Sequence, residues 1–160
     1  MAYRQPGDVD VQELMLINYN GSDSADLKRI TGEINLYEDL MSNALYGNLV
    51  VYDAIDMIQA LPIIGEETLR LSFSVPGEET KISKLFRVYK ISDRKRDSND
   101  TAVSYILHFT SKEYFEVLNK SVQKSYTGKR ISDVVQLVYD SFVWDEKRPK
   151  DISIEENRTP

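Results

Sequence analysis

The side chains able to do chemistry fall into a few short groupings. Asp53/Asp56, Glu66/Glu67 and Glu78/Glu79 are paired carboxylates, the makings of a general acid–base couple. A working couple needs converging geometry, which closeness in sequence does not supply. Helix capping by Asp53 and Asp56, and solvated turns for the other two pairs, explain them more cheaply. His108 is the one histidine and there is no cysteine, so disulfides, thiol catalysis and cysteine-bound zinc are excluded and no histidine metal cluster can form. His108 itself falls on the face opposite Val103, Tyr105, Leu107 and Phe109, as a surface or interface histidine would. The loops Asn18–Asp26 and Asp97–Asp100 are rich in Asp and Asn. Both lack the alternating acids and distal glutamate of a calcium loop.

Arg94, Lys95 and Arg96 form the one basic cluster, suited to nucleic acid or an acidic partner. Asp93, Asp97 and Asp100 neutralise it locally, which favours an exposed hairpin tip. No phosphate-binding glycine loop, nucleophile elbow or zinc-protease signature occurs. The expectation is assembly or binding, with no enzymatic turnover and no cofactor or metal.

The totals agree with that bound. The chain has 160 residues, 41% hydrophobic and 29% charged, enough to bury a core in one domain with a short appendage. A net charge of −6 argues against a general nucleic-acid-binding surface. No apolar run approaches the roughly 18 residues of a membrane-spanning helix, and Met1–Asp10 lacks the apolar stretch of a secretory leader. Ten tyrosines and Trp144 suit either a permanent protein interface or ordinary barrel composition.

The elements that must position these residues are mostly strands. Val11–Tyr19 is the first, followed by a turn-rich loop over Asn20–Asp26. Leu27–Tyr37 alternates, with Ile30, Gly32, Ile34 and Leu36 on one face, and Gly32 marks a bulge or bend. After a polar loop around Ser42–Asn43, Leu49–Tyr52 is apolar on both faces, as if covered on the second side by something else. Asp53 caps a short helix through Gln59 and Ala60, which Pro62 ends. Thr68–Val75 alternates most cleanly, with Leu69, Leu71, Phe73 and Val75 inward and Thr68, Arg70, Ser72 and Ser74 outward. Pro76–Gly77 turns the chain into Leu85–Ser92, Asp93–Thr101 is a charged loop tip, and Ala102–Thr110 returns as the second arm of a hairpin.

The period then changes. Ser111 caps a short helix carrying Tyr114, Phe115 and Leu118, and Gly128 precedes a helix with the stripe Ile131, Val134, Val135, Val138 and Phe142. The fold class expected is mainly β with appended helices: an antiparallel β-barrel over residues 1–110 and a helical segment over 111–160. From Asp145 the chain is charged and completes no element, the pattern of a chain that continues into a larger protein.

The run ITGEINLYEDL…YGNLVVYDAIDMIQALPIIGEETLRLSFSVPG, followed by YILHFTSKEYF and SYTGKRISDVVQLVYDSF, resembles the N-terminal part of the baseplate central hub protein of contractile-tailed bacteriophages. The resemblance spans residues 27–160 and rests on the order and spacing of its pieces. It implies a tail-tube-like barrel, in a trimer whose protomers each carry two similar barrels. Such a ring joins the six-fold tail tube, or a tube-initiator protein, to the three-fold central spike, and DNA passes its lumen without specific binding. The implied location is the virion tail baseplate, and the segment itself inserts into no membrane. Only one barrel is present, so the second is expected beyond Pro160. The hub portion of contractile secretion-system spikes is similar and stays open as an alternative, as does a phage glycan-binding or lytic barrel. On the hub reading the contact residues expected are Leu49, Val51 and Tyr52 along one strand, Pro62, Ile63, Ile64 and Gly65 at the corner, and Arg94, Lys95 and Arg96 at the hairpin tip.

Overall fold

The computed structural model describes residues 9–55, 57–75, 80–99, 101–118, 120–142 and 153. Two compact units divide it, Met1–Tyr114 and Phe115–Pro160. Seven strands build the first: β1 (Asp10–Ile17), β2 (Ser24–Asp26), β3 (Thr31–Tyr37), β4 (Tyr46–Asp53), β5 (Thr68–Ser74), β6 (Lys81–Arg96) and β7 (Val103–Ser111). A four-residue helix, α1 (Met57–Ala60), lies between β4 and β5, and α2 (Lys112–Val117) follows β7 directly. All strand pairs are antiparallel, in the order β2-β1-β5-β6-β7-β4-β3. The fold is thus mainly β, a curled half-barrel with few short helices.

Curling follows from the chain path. The two edge strands, β2 and β3, are consecutive in sequence and joined only by Leu27–Ile30. That link holds both flanks: the Leu27 N–H donates to the Leu14 carbonyl at 2.9 Å, and the Tyr52 N–H donates to the Ile30 carbonyl at 2.7 Å. A flat seven-stranded sheet would set its edges roughly six strand spacings, about 28 Å, apart. Four residues cannot span that.

Inside the curl, alternation does the packing. Leu14 and Leu16 of β1, Leu49 and Val51 of β4, Leu69 and Leu71 of β5, Phe86 and Val88 of β6, and Tyr105, Leu107 and Phe109 of β7 form one buried cluster with Leu27, Met57 and Leu61. The Phe86 and Phe109 rings meet at 4.8 Å. Each buried aliphatic or aromatic side chain removes enough surface to contribute roughly 1.5–3 kcal/mol, so β-periodicity here is a statement about burial. No helix among the described residues is long and apolar enough to cross a membrane.

Several expectations need correction. The loop Asn20–Asp26 contains β2, whose register is Met15↔Asp26, Leu16↔Ala25 and Ile17↔Ser24; three residues are too few to show a period. The strand expected from Leu27 begins at Thr31, because Leu27–Ile30 turns, with the Ile30 and Thr31 N–H groups donating to the Leu27 carbonyl. The bulge expected at Gly32 is present between Thr31 and Glu33.

The largest correction concerns β6, which runs 16 residues and includes Asp93–Arg96, expected to be loop. Two register shifts, between Val88 and Lys90 and between Ser92 and Lys95, break its alternation and so hide its length from a period-of-two reading. Asp93, in the second shift, has φ 52°. The Pro76–Gly77 turn falls outside the described residues, although β5 and β6 pair up to Ser74↔Lys81.

In the second unit, α3 (Ile131–Phe142) follows Gly128, whose φ is 65°. The Val134 N–H donates to the Arg130 carbonyl at 3.1 Å, and Lys120 Nζ donates to the Phe142 carbonyl at 2.8 Å. A cation there satisfies a terminal acceptor and complements the helix dipole.

Candidate functional site

The crossing from β4 to β5 carries two buried carboxylates, one at each end. Asp53 Oδ1 accepts the N–H groups of Ile55 at 3.1 Å and Met57 at 3.0 Å, and Oδ2 that of Ile58 at 3.4 Å. This is the capping role expected for it; Asp56 lies outside the described residues. The Tyr105 hydroxyl donates to Asp53 Oδ2 at 3.5 Å. Burial, then the Asp53 charge and this hydrogen bond, push the Tyr105 phenol well above its ordinary range, with Arg94 pulling the other way.

Glu67 corrects an expectation. It is fully buried, where a solvated turn was expected, and its carboxylate accepts the N–H groups of Ile64 at 2.7 Å and Gly65 at 3.0 Å. The Glu67 main-chain carbonyl takes the Val88 N–H at 3.0 Å, and the Arg87 guanidinium donates to the Glu66 carbonyl. The corner Pro62–Gly65 is therefore fastened to β6 by charge-assisted and main-chain bonds. Gly65 has φ 97°, a backbone state that strains any residue with a Cβ. Both carboxylates hold backbone N–H groups, the work of structural acids.

The residues expected to make contacts separate accordingly. Leu49 and Val51 are buried without exposed surface, because odd positions of β4 face the core; they cannot meet a partner. The outer side of β4 presents Asn48, half-buried Val50 and Tyr52, and Tyr52 is 57% exposed. Its ring lies over Gly32, where an added Cβ would collide with it. At the corner, Ile63 packs against the core, whereas Pro62 and Ile64 are exposed. Arg94, Lys95 and Arg96 are exposed within β6, with Lys95 opposite Ser104 and Arg96 opposite Val103. Tyr52 of β4 and Lys95 of β6 both pair with Ser104 of β7, which sets the exposed strand residue and the basic cluster two strands apart on one row of the outer face.

His108 sits on the outer face, opposite Asn48 and Lys90. Its Nε2 is 2.8 Å from Ser92 Oγ, and Ser92 donates to Asp93 Oδ2 at 2.9 Å. A serine, a histidine and an aspartate are thus adjacent, but the carboxylate holds the serine. A catalytic triad needs it on the other ring nitrogen of the histidine. Desolvation, then Lys90, lower the His108 pKa, opposed by Asp93.

One surface was missed by the sequence reading. In the connection from β3 to β4, expected to be polar, Leu40 and Met41 are essentially fully exposed. At the two ends of that connection Tyr37 and Tyr46, cross-strand partners, stack at 5.4 Å. The signal was present as an apolar Leu-Met pair between two strands. Asn48 and Asn35 join across the same outer face at 3.0 Å, and Asn35 also donates to Glu33 at 2.8 Å.

Among the described residues no group of three or more His, Asp or Glu side chains could hold a metal ion. No protein-family model matches the chain, and no curated protein matches it.

Proposed function

We propose that this chain is the tube-like barrel of a baseplate hub, the structural part that joins the tail tube of a contractile phage to its central spike. The observation that carries the reading is the curled antiparallel sheet whose edge strands are consecutive in sequence, together with the order of motifs that resembles the hub family. Among the described residues β3 pairs with β4 alone, leaving one strand edge available to a neighbour, and an uncovered edge is what association hides. The best-buried acids hold backbone in place, which supports a load-bearing frame that moves force and turns over no substrate. On this reading the protein works as a trimer in the virion baseplate, and DNA slides through its lumen.

The test is solution mass by light scattering over a wide concentration range, with electron microscopy of the same samples. Closed rings with an open centre are expected. Chains that remain single at every concentration would remove ring-forming contacts from this segment and count against the reading.

A further inference from the structure

Charge is segregated along this chain. Between Arg29 and Arg70 there is no lysine or arginine, while Glu33, Glu38, Asp39, Asp53, Asp56, Glu66 and Glu67 all lie there. Strand β6 is the reverse: KISKLFRVYKISDRKR holds seven Lys or Arg in 16 residues against the single acid Asp93. The sheet order sets β6 fourth of seven and β3 at an edge, so curling turns the two toward different sides of the half-barrel.

The placement of the side chains sharpens this. Glu33 pairs across from Val50 on the outer face, and exposed Glu38 and Asp39 follow it at the end of β3. Lys90 and Lys95 stand on the outer face of β6 opposite His108 and Ser104, with exposed Arg94 beside them. Leu40 and Met41 project next to the acids and supply apolar area that charge alone lacks, since complementary charge sets register and rate more than affinity.

We propose that the acidic β3 edge of one copy docks on the basic β6 of the next. A two-fold contact of either patch with itself would set like charges face to face. Because the two patches face different sides of the half-barrel, one copy offers its acidic edge to one neighbour and its basic strand to another, and such head-to-tail contacts generate rings when the rotation closes and filaments when it does not. The inference names the partner surface of the hub reading, on which it rests for ring closure alone.

The experiment is sedimentation velocity of the full chain at about 0.01 M and about 1 M ionic strength, where the screening length falls from about 30 Å to about 3 Å. Three samples join the native chain: Glu33→Lys/Glu38→Lys/Asp39→Lys, Lys90→Glu/Arg94→Glu/Lys95→Glu, and their equimolar mixture. Association of the native chain should weaken at least tenfold in high salt and in each reversed variant. The mixture should restore it, because reversed patches then meet each other and native patches do the same. If a reversed variant unfolds by circular dichroism, the neutral set Glu33→Gln/Glu38→Gln/Asp39→Asn should give the same weakening in smaller measure.

A native chain that stays monomeric in low salt overturns the proposal, as does a mixture that fails to reassociate. Rings indifferent to salt and to both reversals overturn it while leaving the hub reading standing. Salt-sensitive filaments that never close support the contact and remove the hub reading.

Discussion

Glu67 holds the N–H of Gly65, two residues before it, at 3.0 Å, while its own carbonyl takes the Val88 N–H. One residue thereby fixes both the shape of the corner and its distance from β6. Replacing it by alanine leaves two half-buried amides without their acceptor. Hydrogen bonds to a charged group are worth about 1.5–3 kcal/mol, so Glu67→Ala should lower stability by about 3 kcal/mol in urea unfolding. Glu67→Gln, which keeps one acceptor oxygen, should lose less.

The two isoleucines of the corner should part company. Ile64 is exposed and Ile63 packs on the core. Ile64→Asp is expected to change unfolding free energy by less than about 0.5 kcal/mol, as an exposed substitution does. Ile63→Asp places a charge against apolar neighbours and should cost about 2–4 kcal/mol. Only the Ile64 variant is then a clean probe of assembly by light scattering.

Two glycines give an opposite pair. At Gly65 the backbone itself forbids a Cβ, and Gly65→Ala should cost about 1–2 kcal/mol. At Gly32 the obstacle is the ring of Tyr52, the far end of an exposed side chain, which can swing aside. Gly32→Ala should therefore cost under about 1 kcal/mol, and thermal melts of the two variants would rank them.

Alkaline pH should unfold the barrel through Tyr105. Its ionisation is raised above the ordinary 10.0 by burial and by Asp53, so the folded state keeps a proton that the unfolded chain gives up. The stabilisation is fully present below about pH 10 and is lost as pH rises further. Tyr105→Phe should flatten this dependence in unfolding curves taken across that range.

His108 acts in the opposite direction. Its pKa is lowered by burial first and by Lys90 second, so the unfolded chain takes up a proton before the folded one does. Stability should fall as pH drops below about 6.5 and level off once the folded histidine is charged. A titration of its imidazole resonances should place the folded pKa below 6.5, and His108→Gln should remove the slope.

Much of this architecture was legible where alternation is unbroken. Leu69 and Leu71, and Tyr105, Leu107 and Phe109, announce their strands and their inward faces because each faces the core at every second step. Legibility stopped at bulges: the register shifts around Tyr89 and Asp93 displaced the period of β6 and made Arg94–Arg96 look like loop. It stopped again at β4, where Val50 and Tyr52 made an apolar run look two-sided although only Leu49 and Val51 are inside. Ser72, expected outside, is buried because Ser83 and Glu13 of the flanking strands cover it, its hydroxyl lying 2.9 Å and 3.4 Å from them. Of the candidate contacts, Tyr52, Ile64 and the basic cluster lie on the surface as a partner would need. The partners of Glu67 are backbone groups, and no residue identity encodes those.

The Leu27–Ile30 link has a consequence for how the half-barrel keeps its curl. No paired strand residue among those described falls within those four residues, so a protease cutting after exposed Lys28 or Arg29 would sever no rung of the sheet. It would, however, untie the only covalent strap between the two edges. Curvature would then depend on the core packing and on hydrogen bonds such as Tyr52 to Ile30, and a nicked barrel could flatten toward a sheet with every hairpin intact. The curled shape belongs partly to the thread and not wholly to the weave.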